Sequence, residues 1–284
     1  MGRKQALPSA ISYERHGEGT PIVLIHGIGS RWQVFEPILE ELAETHEVIA
    51  IDLPGFGAAP AEPGVPSTVD GYSAWLTQVL GDMGISRPHV VGSSMGGGIA
   101  LELGRRGVAG RVTVFSPVGF WTVGERIWCQ SVVTVMRTVA KTLRPMVEAG
   151  ARTASGRTGL FGLFFGKPWK ASAEAARGDV AALIGATRFG AARKGFATYD
   201  LRRNPRADGG LSGIPVTIAW GTRDAILPPH RQAEIARAAL PLARHVSLRG
   251  CGHLPFSDDP SLCADVVLAP DSAFPEATNN GVKA

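Results

Sequence analysis

The sequence predicts an α/β protein with a mostly parallel, doubly wound sheet and a helical insertion between two of its later strands. Three features lead there. Short, continuous apolar runs recur along the chain, the pattern of strands buried on both faces. Segments with apolar residues at helical spacing separate the runs. Such alternation is met most economically by helices on both faces of a parallel sheet. The alternation lapses between about Trp121 and Arg203 and then resumes.

Taken in order, Ile11-Ser12-Tyr13 offers a first, antiparallel strand that turns at Gly17-Glu18-Gly19. Pro21-Ile22-Val23-Leu24-Ile25 is the first buried run, followed by a helix marked by Phe35, Ile38, Leu39 and Leu42. Val48-Ile49-Ala50-Ile51 comes next, then a helix carrying Trp75, Leu76, Val79, Leu80 and Met83. Pro88-His89-Val90-Val91 leads into a helix that opens among glycines and carries Ile99, Leu101 and Leu103. Val112-Thr113-Val114-Phe115 follows it. Within the lapse, Val132, Val133, Val135, Met136 and Val139 predict one apolar helix and Gly159 to Gly166 a glycine-rich loop. Ala173 to Ile184 and Phe189 to Tyr199 predict two further helices. The sheet resumes with Val216-Thr217-Ile218-Ala219-Trp220, a helix around Ile235, Ala238 and Ala239, and His245-Val246-Ser247-Leu248. The expected organisation is a core of residues 1–120 and 204–284 with an insertion at 121–203. The tail after Ala269 reads as short, polar and frayed.

Composition bounds the function classes. Hydrophobic residues make up 44% of 284 and charged residues 19%, a globular balance. No run reaches the roughly 18 apolar residues of a membrane span, and the first residues lack a signal-peptide core, so a cytoplasmic protein is expected. Cys129, Cys251 and Cys263 form no C-x-x-C, and H-E-x-x-H is absent, so reduced structural thiols and no metal are expected. The net charge of +4 is unevenly spread: Trp121 to Arg203 holds 14 Lys and Arg against 5 Asp and Glu. That basic balance suits solvated helix surface, steering of anionic substrates, or contact with lipid. No nucleic-acid module appears, and nothing in the sequence fixes an oligomeric state.

The chemistry concentrates in VVGSSMGGG, Val90 to Gly98. A serine nucleophile that leaves a buried strand needs a sharp strand-to-helix turn, with small residues two before and two after it. Ser94 has Gly92 and Gly96 at those offsets, whereas Ser93 has Val91 and Met95. Ser94 is therefore the candidate nucleophile. A phosphate-binding loop is disfavoured, because neither G-x-G-x-x-G nor a Walker lysine is present.

His26-Gly27-Ile28-Gly29, Asp52-Leu53-Pro54-Gly55-Phe56-Gly57, Gly92-Ser93-Ser94-Met95-Gly96, Gly221-Thr222-Arg223-Asp224 and Gly250-Cys251-Gly252-His253 each follow an expected strand. In this order they resemble the α/β-hydrolase superfamily, in its cap-bearing serine hydrolase branch, over roughly Ile11 to Leu268. The resemblance implies His253 as the base, on the loop after the final strand, and Asp224 as the acid that orients it. It implies backbone N–H groups of Met95 and Ile28 as the oxyanion hole. His26 would order the loop bearing Ile28. Asp258 and Asp259 are expected to start the last helix and counter its dipole.

The implied reaction is cofactor-free hydrolysis of a small, apolar carboxylic ester through an acyl-enzyme on Ser94. C–C hydrolysis of ring-fission diketones by the same groups, or a non-catalytic ligand-binding homologue, are the alternatives. The insertion would cover Ser94. Phe161 and Phe164, with Leu160, Leu163 and Phe165, would line an acyl channel or pack the insertion on the core. Trp121 and Trp128 would flank the entrance, and Cys251 would lie near His253.

Overall fold

The computed structural model describes residues 11–203 and 209–270. The expected tail and the boundary at residue 204 lie outside the described residues. Seven strands form a single sheet in the order β1-β3-β2-β4-β5-β6-β7. They are β1 (Tyr13–His16), β2 (Thr20–Ile25), β3 (His46–Ile51), β4 (His89–Ser93), β5 (Arg111–Phe115), β6 (Val216–Gly221) and β7 (Arg244–Leu248). All pairings are parallel except β1 with β3, where Tyr13 lies opposite Ile51. The first strand is antiparallel, as the sequence suggests. It crosses past β2 and pairs at the edge, because both sides of β2 are taken by β3 and β4.

Ten α-helices accompany the sheet among the described residues. The core helices are α1 (Glu36–Ala43), α2 (Val69–Asp82) and α3 (Met95–Arg105). Between β5 and β6 stand α4 (Val123–Thr142), α5 (Arg144–Ala151), α6 (Ala154–Phe161), α7 (Ala173–Gly185) and α8 (Phe189–Phe196). The core closes with α9 (Pro229–Ala239) and α10 (Pro260–Leu268). Alternation along β2 sorts the core into two layers. Val23 and Ile25 join α2, α3 and α9, whereas Ile22 and Leu24 join α1 and α10. The residues of both layers are buried, as the continuous apolar runs require.

Two helices of the insertion were not legible. α5 begins with Arg144-Pro145, where Pro at an early helical position is tolerated. α6 occupies the first part of the expected loop at Gly159 to Gly166, ending at Phe161 and capped by Thr153, whose hydroxyl accepts from Gly156 N–H. The insertion has a small core of its own around Ala140, Val147 and Val180.

The order reverses at β2: the chain steps to β3 on one side and then to β4 on the other. Doubly wound sheets open a crevice at the carboxyl ends of the strands at such a switch. Here those ends are Ile25 and Ser93, so the loops that begin at His26 and Ser94 meet there.

Candidate active site

Ser94 sits between β4 and α3 with φ 56° and ψ −116°, a conformation that L residues rarely adopt. Its N–H donates to Phe115 O at 2.9 Å, and its own carbonyl accepts from Val118 N–H and Gly98 N–H. These bonds hold the strained turn from both sides. The flanking glycines are sterically required: a Cβ on Gly92 would stand 2.1 Å from Gly96 O, and one on Gly96 2.1 Å from Ile25 O. Ser93, the other hydroxyl of the pair, is fully buried within β4.

The loop after β2 lies against this turn. A Cβ on Gly27 would be 3.0 Å from the Ser94 Cβ. His26 shapes the loop from beneath: its Nδ1 donates to Gly27 O at 2.7 Å and its Nε2 accepts Leu53 N–H at 3.1 Å. Complete burial lowers its pKa, which keeps the ring neutral as this bonding demands. Ile28 follows on the same loop. Met95 is the first residue of α3, where a backbone N–H has no acceptor within the helix.

His253 and Asp224 come from the loops after β7 and β6. His253 Nδ1 donates to Asp224 Oδ2 at 2.9 Å, and both residues are buried. The other carboxylate oxygen, Oδ1, accepts Ile226 N–H and Leu227 N–H at 2.9 and 2.8 Å, so the acid is fixed by its own turn. With the proton on Nδ1, the Nε2 lone pair of His253 is free to act as a base. The histidine loop packs onto the elbow strand's neighbour through Phe256 and Phe115, whose rings are 5.0 Å apart. Among the described residues no hydrogen bond joins the Ser94 hydroxyl to His253.

Asp258 departs from its expected role at the start of the last helix. Asp259 alone caps α10, accepting from Leu262 N–H. Asp258 is fully buried and gathers three backbone donors instead: Gly166 and Gly252 N–H on Oδ2, each at 2.7 Å, and Lys167 N–H on Oδ1 at 2.6 Å. It therefore clamps the segment after α6 to the histidine loop, where Leu254 N–H also donates to Phe164 O at 2.9 Å.

The insertion lies over the loop bearing Ile28. Phe161 and Phe164 line a small apolar cavity of about 80 Å³ together with Ile28, Leu183, Phe189 and Leu254. Trp121 is elsewhere, buried with its ring 5.6 Å from that of Phe196. Trp128 is half-exposed and its indole N–H donates to Ala225 O, next to Asp224, at 2.8 Å. Cys251 is buried, and burial pushes its thiol up to about 11. Among the described residues, no group of His, Cys, Asp and Glu is placed to hold a metal ion, and no helix is long and apolar enough to cross a membrane.

Comparison with known proteins agrees with this architecture. The chain is 28% identical to the uncharacterized protein Rv2715 of Mycobacterium tuberculosis over 260 residues, covering 88% of this chain and 75% of that one. It is 31% identical over 253 residues to the dihydrolipoyllysine-residue acetyltransferase component of the acetoin cleaving system of Cupriavidus necator, covering 86% of this chain and 62% of that one. The fold is also that of an esterase from Exiguobacterium antarcticum, with a TM-score of 0.71, 21% identity and coverage of 91% and 94%. The model of the alpha/beta hydrolase family matches residues 22–266, and the chain belongs to that family.

Proposed function

We propose that the protein is a serine hydrolase of small, apolar carboxylic esters. Ser94 is the nucleophile, His253 the base and Asp224 the acid that orients it. The observation that carries this reading is the strained backbone of Ser94 at the head of α3, combined with the buried His253–Asp224 bond at 2.9 Å. Strain of this kind persists only where surrounding structure imposes it, and it is concentrated at functional sites.

The mechanism follows from the chemistry of the side chains. His253 Nε2 takes the Ser94 proton as Oγ attacks the ester carbonyl. The developing oxyanion is met by the N–H groups of Met95 and Ile28, the former reinforced by the amino end of α3. Collapse breaks the acyl–oxygen bond, and His253 returns the proton to the leaving alcohol. The same base then deprotonates water, which attacks the acyl-enzyme; collapse breaks the Ser94 Oγ–acyl bond, His253 returns the proton to Oγ, and the acid is released. The Ser94–His253 hydrogen bond is expected to form only with substrate bound, since catalytic hydrogen bonds commonly close in the complex. The insertion acts as a lid. Phe161 and Phe164 form its acyl wall, whereas Trp128 holds the lid to the acid loop.

The reading is tested with p-nitrophenyl esters of graded chain length and a fluorophosphonate probe. The wild type is expected to hydrolyse short esters and to label at Ser94, and Ser94→Ala to lose at least about 10³-fold in turnover. Undiminished esterase activity in Ser94→Ala ends the assignment. Turnover of a ring-fission diketone alone points to C–C hydrolysis, and a folded protein inert to every probe points to a binding role.

A further inference from the structure

The outer face of α4 is unlike a water-facing helix. Its inner face buries Cys129, Val132, Val133 and Ala140. Its long polar side chains are spent along the margins of that inner face. Arg126 donates to Ala197 O, Gln130 to Arg193 O, and Arg137 to Leu183 O and Ala186 O. The outer face carries Ile127, Ser131, Thr134, Val135, Thr138 and Thr142. Among the exposed residues of α4, Lys141 alone bears a charge, whereas about a quarter to a third of a soluble surface is ordinarily charged. Ile127 and Val135 are 56% and 57% exposed. The three threonines turn their hydroxyls back onto carbonyls four residues earlier, at 2.6, 2.9 and 2.8 Å. Their donors are therefore satisfied inside the helix and need no water.

The carboxyl end of this face is apolar and basic together. Leu143 and Met146 are exposed at the α4–α5 turn, next in sequence to exposed Lys141 and Arg144, and exposed Arg152 follows at the end of α5. The one acid of α5, Glu148, is hydrogen-bonded by Arg144, with Arg177 and Arg152 close by, and together they hold its carboxyl below the usual range.

We propose that the outer face of α4 and the α4–α5 turn dock on an anionic lipid surface. α4 lies in the plane of the interface, and Lys141, Arg144 and Arg152 meet the headgroup phosphates. A long uncharged face bounded by basic side chains is what interfacial binding requires. Charge selects lipid over a second copy of the chain: a two-fold pairing would set this basic insertion against itself. The insertion is also where the chain concentrates its positive charge, +9 against −5 for the rest.

The test is flotation of the full-length chain with phosphatidylcholine vesicles, with and without phosphatidylglycerol, at low and high salt. Wild type is expected to float with phosphatidylglycerol vesicles only, and less at high salt. Ile127→Glu and Val135→Glu are each expected to weaken partitioning about tenfold or more, because each sets a charge in the apolar contact. Val135→Leu keeps binding, and Lys141→Glu with Arg144→Glu loses it. Unchanged melting temperatures show that these exposed substitutions leave the fold intact. Failure of the wild type to float, equal flotation on neutral vesicles, or full binding by a folded Ile127→Glu overturns the proposal. A dimer in sedimentation that Val135→Glu dissolves, without vesicle binding, also overturns it and gives the face to a second copy.

Discussion

A single methyl group at position 96 tests the geometry of the elbow. The Cβ of Gly96→Ala would lie 2.1 Å from Ile25 O, and 2.6 Å from His26 O. Both are backbone atoms, so neither can swing aside. Gly96→Ala is expected to cost on the order of 2 kcal/mol or more in stability and to disturb the loop bearing Ile28. Gly81, near the end of α2, provides the contrast, because a Cβ there meets nothing within 4 Å. Gly81→Ala is expected to be neutral or to stabilise by up to about 1 kcal/mol, through helix propensity. Urea unfolding of both variants checks this, and a Gly96→Ala protein as stable as wild type would refute the steric account. The elbow was legible in the sequence because its small residues stand at fixed offsets from Ser94, although only the clash of Gly92 with Gly96 is local and Gly96 itself answers to the backbone of β2. The approach of Gly27 to Ser94 was not a constraint of spacing at all; it arises because β2 and β4 are neighbours.

At the scale of elements, the segment after α6 is fastened to the histidine loop through backbone contact and one carboxylate. A Cβ on Gly166 would stand 2.1 Å from Gly250 O, and one on Gly252 2.6 Å from Phe164 O and Gly166 N. Asp258 completes the crossing with its three N–H donors. In Asp258→Asn only one side-chain oxygen remains, so an amide N–H₂ must face at least one of those donors. Leaving a buried donor unsatisfied costs about 1–3 kcal/mol. A lower melting temperature is expected for Asp258→Asn and a larger drop for Asp258→Ala, which leaves all three unpaired. Equal melting of wild type and Asp258→Asn would show that the clamp carries no stability. Asp258 reads in the sequence as a plain helix start because its partners at Gly166 and Lys167 lie some ninety residues away. The same limit explains α5 and α6. Parallel strands buried on both faces announce themselves as apolar runs, whereas short helices rich in Gly and begun by Pro carry no such pattern.

Across the whole molecule, the relation of insertion to core decides what can reach Ser94. The cavity beside Ile28 measures about 80 Å³, well under the roughly 300 Å³ at which ligand pockets ordinarily begin. On the proposed function, a short acyl group fits it as it stands and a long one requires the insertion to lift. Arg31, just past the Ile28 loop, meets Asp179 of α7 at 3.2 Å, where the insertion lies on the core. Partial burial, with Glu36 nearby, pushes the Asp179 carboxyl up to about 6, against the pull of Arg31. The sign of the resulting linkage is fixed. A carboxyl with a raised pKa in the closed form and an ordinary one near 3.9 in the open form binds its proton more tightly when closed. Acid therefore favours closure, and the effect grows as pH falls from about 6 towards 4. The ratio of long-chain to short-chain ester turnover is expected to fall over that range. Taking the ratio cancels the titration of the base, which both substrates share. Asp179→Asn cannot titrate, so its ratio is expected to stay flat with pH. A wild-type ratio that is also flat, or that rises in acid, would show that Asp179 does not govern the opening.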